Sequence, residues 1–401
     1  MKERTVVCGL DVHKDTIYTA LYNGKDHTEV QKFSTFGCGI KKLSTWLQDH
    51  DVKKVAMEST GTYWIPTWNE LEGAGLQLVL VNPWFIKQMP GRKRDVADAQ
   101  WIATLLHKDL LRRSLVPPRS IRELRNYSRK FVQLQYQITR VLQQMNKCLE
   151  LCNIRINNVM TKMDSVSSIG IIRAIVAGNS DHQTLMDQVN AAVKKRKKGM
   201  VEQALEGAIS DDQKFLLELG LQQYDLLLDQ ASRIETRMEE HCQQHYASEL
   251  KLLRTIPGIG KQSGMQIIAE TGADMNAFRS SSAISSWAGL RPRNDESAGK
   301  IKNNHITKGN NYLRRILVQT SWSATRCKES YFKYKFEQLH KRMNSKKALI
   351  AIARKMLTVV WNVLYKQEPY NAHYQPVYNE QRVAAQIRYH QQIIDKLNSL
   401  G

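Results

Sequence analysis

No run in this 401-residue sequence approaches the roughly 20 apolar positions that a spanning helix needs, so a membrane protein is not expected. A secretory signal pattern is missing too, because Met1-Lys-Glu-Arg4 leads directly into a short strand. The six cysteines (Cys8, Cys38, Cys148, Cys152, Cys242 and Cys327) are scattered without a C-x-x-C pair, which fits reduced, buried thiols in a cytosolic protein. Cys148 and Cys152 share a helix face and read as core filling. His241 and His245 stand at i, i+4 spacing but lack a second ligand pair, so no zinc site is expected there. Acid is the scarcest class relative to its opposite: 38 Asp and Glu stand against 59 Lys and Arg, a net charge of +21. A phosphate polymer is the natural partner for such an excess, since each neutralised phosphate releases counterions. Apolar and charged fractions of 42% and 24% exclude global disorder, and the length allows two or three domains.

The first hundred residues alternate strand and helix signals. Thr5 to Leu10 is a β-rich run ending at Asp11. Thr16 to Tyr22 alternates and stops at the hairpin signal Asn23-Gly24. Glu29 to Phe33 makes a third strand, Gly39 to Asp49 a helix, and Val52 to Met57 a fourth strand ending at Glu58. Tyr63 to Ala74 is helical, and Leu76 to Val81 is a buried fifth strand. After Pro90-Gly91, the residues Val96, Ala99, Ile102, Ala103, Leu105 and Leu106 recur at helical spacing. Asp95 and Asp98 share the first turn of this helix, where the macrodipole tolerates negative charge.

This order of elements is that of a ribonuclease H-like mixed sheet, an α/β fold. The first strand, the fourth strand and the last helix meet at one end of such a sheet, so Asp11, Glu58, Asp95 and Asp98 are expected to converge. Carboxylates that close repel one another unless a cation lies between them. Oxygen ligands of this kind suit Mg²⁺ or Mn²⁺, and a pair of such ions can clamp the attacking and leaving oxygens of a phosphodiester. Taken singly, the two helix acids are also ordinary N-terminal charges. Asp15 reads as a turn residue, and Lys14 as either a phosphate contact or a solvated turn lysine.

Beyond Pro118 the texture becomes helical. Arg119 to Ile156 and Asp211 to His245 read as two long helices of a coiled-coil arm. They flank a basic insertion, Lys194, Lys195, Arg196, Lys197 and Lys198; such a run is usually a solvated loop, but in so basic a chain it is read as a nucleic-acid contact. Ile256-Pro-Gly-Ile-Gly260 reads as the turn of a helix–hairpin–helix element, in which backbone N–H groups near Gly258 and Gly260 suit a phosphate, with a plain tight interhelical turn as the alternative. A stretch from Ser285 to Arg315 interleaves small residues, turn formers and cations. It is expected to hold Ser297 and Lys300 in a flexible loop, with Lys308, Arg314 and Arg315 opening a helix that grips a backbone. Lys346 to Tyr365 is a last helical block, followed by a Gln-rich, weakly helical tail. The expected organisation is therefore a catalytic domain over 1–118, the arm over 119–250, a mainly helical C-terminal domain over 251–366 and the tail over 367–401.

Four stretches carry a resemblance to a known family: Gly9-Leu-Asp-Val-His-Lys14, Met57-Glu-Ser-Thr-Gly61, Lys93-Arg-Asp-Val-Ala-Asp-Ala99, and the span from Ile256-Pro-Gly-Ile-Gly260 to Lys308-Gly-Asn310. Together they resemble the DEDD-type insertion-sequence transposases, relatives of the Piv DNA invertase. That resemblance implies a RuvC-like N-terminal domain whose four metal-site acids fall on Asp11, Glu58, Asp95 and Asp98. It implies a catalytic serine at Ser297, although this chain reads Ser-Ala-Gly where Ser-Gly is commoner. It further implies a prokaryotic, cytoplasmic, nucleoid-associated recombinase acting on donor and target DNA as a dimer or tetramer, guided by a structured RNA from the element. A structure-selective nuclease using metal-activated water is the alternative, since it needs the same acids. A non-catalytic nucleic-acid-binding protein is the third reading, and the acids argue against it.

Overall fold

The computed structural model describes residues 6–59, 61–88, 95–293, 295–297, 300–303, 305–371, 388 and 391. Most of the tail, with the Gly91-to-Arg94 approach to the Asp95 helix, lies outside these, as do the side chains of Asp95, Ser297 and Lys300. The chain divides into two compact units, residues 1–117 and 118–401.

The first unit is a five-stranded mixed sheet with helices. Its elements are β1 (Val7–Val12), β2 (Thr16–Tyr22), β3 (Gln31–Ser34), α1 (Gly37–Asp49), β4 (Lys54–Glu58), α2 (Trp64–Gly73), β5 (Gln77–Val81), α3 (Pro83–Gln88) and α4 (Asp95–His107). The strand order is β3-β2-β1-β4-β5, with β1 antiparallel to β2 and parallel to β4. β1 is buried along its whole length, as a central strand covered on both faces should be. Its residues divide between two cores by simple alternation. Cys8, Leu10 and Val12 join Val55 and Met57 on one side, whereas Val7 joins Ala56, Ile102 and Leu106 on the other. The expected strands and helices are all present with ends shifted by a few residues, and α3 is an addition.

Among its described residues the second unit is helical apart from one hairpin. α5 (Arg119–Leu151) packs along α9 (Asp211–His245), and between them lie α6 (Val166–Val176), α7 (His182–Asp187) and α8 (Ala191–Ala204). α5 ends at Leu151, short of the expected Ile156, because the next residues turn into a short 3₁₀ segment at Ile156–Asn158. Leu124, Phe131, Leu134, Ile138, Val141, Met145 and Leu149 are buried as their spacing predicts. On α9, however, Leu216 and Leu219 are exposed at 57% and 46%, and Leu217 and Leu221 face inward instead. The basic run is not a loop. It sits within α8, whose backbone leaves helical geometry only at Lys197 (φ −137°, ψ 31°). Ile171, Ile172, Leu185 and Val201 tie α6 to α8 into the same core as the long helices.

The remaining elements are α10 (Ala247–Leu253), α11 (Lys261–Thr271), α12 (Ser281–Trp287), β6 (Asp295–Ser297), β7 (Lys300–Asn303), α13 (Asn311–Ala324), α14 (Tyr331–His340) and α15 (Ser345–Lys366). α15 corrects the expectation about apolar runs, because by length and composition it could cross a bilayer. Its stripe Ala348, Ile352, Ala353, Met356, Leu357 and Val360 is fully buried against α10, α12, α13 and α14, so it serves as a core helix. β6 and β7 also correct an expectation. The Ser297 stretch is strand rather than flexible loop, since Ser297 pairs with Lys300 across a two-residue connection.

Candidate catalytic centre and nucleic-acid interface

The acids of the first unit are placed by sheet register. Leu10 is opposite Met57 in the parallel pair β1–β4, so Asp11 and Glu58 are the next step along at the C-terminal end of both strands. Gly9 and Ala56 are also opposite one another, and residues two apart on a strand share a face. Asp11 and Glu58 therefore lie on the face of Gly9 and Ala56, the face that α4 covers. The approach of α4 is close: a Cβ at Gly9 would lie 2.2 Å from the Ala99 carbonyl oxygen and 2.5 Å from the Ala103 nitrogen. This brings the start of α4, with Asp98 half-buried and Asp95 at its first position, to the end of the sheet that holds Asp11.

Asp11 is buried at 6% exposure, and the His13 ring nitrogen Nε2 donates to its Oδ2 at 3.0 Å. His13 itself is held edge-on to Tyr18, with ring centroids 5.7 Å apart. His13 was not expected from the sequence as a partner of Asp11, although their i, i+2 spacing just past a strand end was its signal. Among the described residues no group of three His, Cys, Asp or Glu side chains forms a closed ligand set. The two strand acids nonetheless fit a divalent cation. They are hard oxygen donors on one face at the ends of adjacent parallel strands, and one of them is a buried carboxylate. The two histidines of α9 do not fit one: His241 Nε2 is bonded to the Ser120 carbonyl at 2.8 Å.

In the second unit, Ser297 stands at the tip of an antiparallel ribbon. β6 and β7 form its outer part. Nearer the body, Pro292 bridges Ile306, Arg293 N–H donates to the His305 carbonyl at 3.1 Å, and Thr307 N–H donates to the Arg291 carbonyl at 3.0 Å. Of the expected binding residues, Lys195, Arg196, Lys197 and Lys198 are exposed on α8, and Lys194 is partly covered. Lys194 and Lys198 have only loose carboxylate partners, Asp187 at 3.6 Å and Glu202 at 3.9 Å.

The Ile256–Gly260 turn does connect two helices, α10 and α11. Gly258 has φ +87°, and a Cβ there would lie 2.4 Å from the Thr320 carbonyl oxygen, so this glycine is needed for packing against α13. The Gly260 N–H donates to Ser263 Oγ at 2.9 Å. Lys308 is exposed but precedes α13 rather than opening it, because Asn310 is the N-cap. Arg314 donates to Asn311 and to the Thr307 carbonyl, and the Arg315 guanidinium lies 4.5 Å from the Tyr136 ring centroid.

Comparison with known proteins finds two family matches, the first of which runs past the first unit into α5 and the residues after it. Residues 8–154 match the DEDD transposase family, and residues 250–337 match the family described as "Transposase IS116/IS110/IS902 family". The chain is 24% identical over 331 residues to the "Probable family 20 transposase" of Pseudomonas aeruginosa, covering 79% of this chain and 85% of that protein. It is 32% identical over 139 residues to the "Pilin gene-inverting protein" of Moraxella bovis, covering 33% and 41%. With the "Transposase for insertion sequence element IS1111A" of Coxiella burnetii it shares 30% over 122 residues, 29% and 33% of the two chains. The Moraxella and Coxiella matches thus span less than half of those relatives. Both units carry a piece of one enzyme, and the chain belongs to the DEDD-type insertion-sequence transposases, DNA recombinases that include relatives of the pilin gene-inverting protein.

Proposed function

We propose that the chain cuts and rejoins DNA of its own insertion element through a phosphoserine link at Ser297. The observation that carries this reading is the position of Ser297 at the tip of a ribbon, the last residue of β6 and paired in register with Lys300. Ser297 Oγ attacks a phosphorus of one strand. An Oγ–P bond forms as a P–O bond to a deoxyribose oxygen breaks; the serine proton passes to solvent and the leaving oxygen takes one up. A hydroxyl of a second strand then reverses the exchange. One phosphodiester replaces another, so no energy source is needed.

Asp11, Glu58, Asp95 and Asp98 are the residues that would hold Mg²⁺ or Mn²⁺. Bound there, the metal supplies positive charge against the oxygens of the reacting phosphate. His13 bonds one oxygen of Asp11 and so helps to orient that carboxylate. The reaction needs acids and serine at one phosphorus, and the acids of one subunit serve the serine of another in a dimer or tetramer. The α5–α9 pair acts as the coiled-coil arm of that assembly. The exposed cations of α8, Lys194 to Lys198, take a structured RNA from the element that selects donor and target DNA. The α10–α11 turn acts as a helix–hairpin–helix phosphate contact through the Gly258 backbone and, once its N–H leaves Ser263 Oγ, that of Gly260, while Lys300, Lys308, Arg314 and Arg315 line the DNA. Such a protein works in the prokaryotic cytoplasm at the nucleoid.

The test combines purified protein, Mg²⁺, RNA transcribed from the element's flanks, and labelled donor and target DNA. After denaturing stop, DNA joined covalently to Ser297 is expected by mass spectrometry, and Ser297→Ala is expected to abolish it. Cleavage without any protein–DNA adduct overturns the serine mechanism in favour of a metal-dependent nuclease.

A further inference from the structure

Glu270 is the most deeply buried carboxylate described in the second unit, at 1% exposure, and it belongs to α11 rather than to the ribbon that carries Ser297. Three elements meet on it. Arg129 of α5 donates to both its oxygens, Nε at 3.0 Å and Nη2 at 2.9 Å. Arg125, one turn earlier, donates to the Ala269 and Glu270 carbonyls at 2.9 and 3.0 Å. Asn310 Nδ2 donates to Glu270 Oε2 at 2.6 Å. A charge this deep is costly unless its lone pairs are filled, and here they are.

Asn310 does two jobs at once. Its Oδ1 accepts from the Leu313 N–H at 3.1 Å and so caps α13, and its Nδ2 reaches Glu270. It also closes the segment that forms the inner end of the ribbon. One residue before it, Gly309 touches Gly289 backbone to backbone: a Cβ on Gly309 would lie 2.3 Å from the Gly289 nitrogen. The ribbon that carries Ser297 therefore leaves the body between a glycine–glycine contact and an asparagine tied to a buried charge.

A ribbon transmits an error at its base to its tip. Seven residue steps separate Thr307 from Lys300, at most about 23 Å at the ~3.3 Å rise of a strand. A tilt of about 5° at the base moves the tip by about 2 Å, whereas a reacting pair must be held within about 3–3.5 Å and a misplacement of ~1 Å can cost about a hundredfold in rate.

Resting on the serine reading above, we propose that Glu270 is a positioning residue for Ser297. Through Asn310 it fixes the direction in which the ribbon presents the serine, and Arg125 and Arg129 fix Glu270 against the long helix α5. Glu270 touches neither DNA nor metal; it acts through the segment Thr307 to Asn310.

Two substitutions isolate the link. Asn310→Asp keeps a side-chain acceptor for the α13 cap but replaces the donor to Glu270 with a second carboxylate. Glu270→Gln keeps the shape but removes the charge. The double variant Glu270→Gln/Asn310→Asp reverses the hydrogen bond, with the glutamine amide donating to the aspartate, and keeps one negative charge beside the two arginines. With Mg²⁺, the flank RNA and a saturating end-labelled duplex of the element end, the rate of Ser297 adduct formation is measured per folded protein. Duplex affinity and Tm are measured in parallel. Asn310→Asp is expected to slow the adduct by on the order of 10–100-fold with Kd changed less than about threefold, and the double variant to recover most of the rate. A folded Asn310→Asp protein with the wild-type rate overturns the proposal. So does a double variant no faster than the slower single one, since a role confined to stability predicts recovery of Tm without recovery of rate. Active wild-type protein that forms no adduct fails the serine reading itself and takes this proposal with it.

Discussion

A Cβ placed on Gly9 would lie 2.2 Å from the carbonyl oxygen of Ala99, so β1 and α4 meet backbone to backbone. The contact lies two residues before Asp11 on the same face of β1 and one residue after Asp98 on α4. Whatever spaces the strand from the helix also spaces the acids they carry. Gly9→Ala is therefore expected to push α4 away, lowering the stability of the N-terminal unit by about 1–3 kcal/mol through overpacking. DNA cleavage should fall by more than the folded fraction does. Chemical denaturation alongside single-turnover cleavage checks this, and a substitution neutral in both would contradict the close approach.

The acids and His13 should separate by the size of their effects. Asp11→Asn or Glu58→Gln removes a donor from the metal-holding set, so strand cleavage should drop by about a hundredfold or more, the order expected when charge stabilisation of a transition state is removed. Nucleic-acid affinity measured in the absence of metal should stay unchanged. Chelation by EDTA should reproduce the loss in the parent protein, and added Mn²⁺ or Mg²⁺ should reverse it. His13→Ala leaves the carboxylate in place without its imidazole partner, and a raised metal requirement of about 10–100-fold is expected, measured as the half-saturating Mg²⁺ concentration. An Asp11→Asn protein with full cleavage would remove Asp11 from the centre.

Much of the first unit was legible in the sequence because its signals are local. Strand runs end at Asp11 and Glu58, a helix begins at Asp95, and the parallel pairing of β1 with β4 follows from the helix between them. What escaped was set by tertiary context. The five cations of residues 194–198 look like a loop by charge alone, yet Val201 and Ala204 anchor the same helix in the core. Leu216 and Leu217 are chemically identical neighbours, and only the crossing of α9 on α5 decides which is buried. Ser297 reads as loop because its neighbours are small and polar, but strand pairing with Lys300 depends on backbone and not on those side chains. Glu270 had a weak signal, an acid placed after Ile267, Ile268 and Ala269. Its meaning required Arg129, which stands 141 positions earlier.

The thiols should behave by burial. Cys8 and Cys242 are fully buried, and burial pushes the Cys242 thiol up to about 12 and the Cys8 thiol higher still. A raised value keeps the protonated, unreactive form, so iodoacetamide at about pH 8 should leave both unmodified while the exposed Cys38 reacts. Moving to about pH 9 should not open Cys242, because that is still far below its folded value; denaturant should. Peptide mapping after timed alkylation reads this directly, and labelling of Cys242 at the rate of Cys38 would contradict the packing of α9.

The basic run on α8 makes the most quantitative claim about partners. Lys195, Arg196, Lys197 and Lys198 are exposed, and ion pairs as loose as Lys194–Asp187 and Lys198–Glu202 are worth little in water. The five cations are therefore available to phosphates. Replacing all five with glutamine preserves helix propensity and leaves Val201 and Ala204 in place, so α8 should remain folded. If these side chains neutralise phosphates of a structured RNA, the slope of log affinity against log salt should become shallower by about 0.9 for each phosphate left unneutralised in a paired stretch. Cleavage measured at saturating RNA should be restored, since the acids and Ser297 are untouched. Titration of the element's flank RNA at several salt concentrations decides the matter. An unchanged RNA slope with a shallower DNA slope would assign α8 to the DNA, and no change in either would leave the run as a solvated helix face.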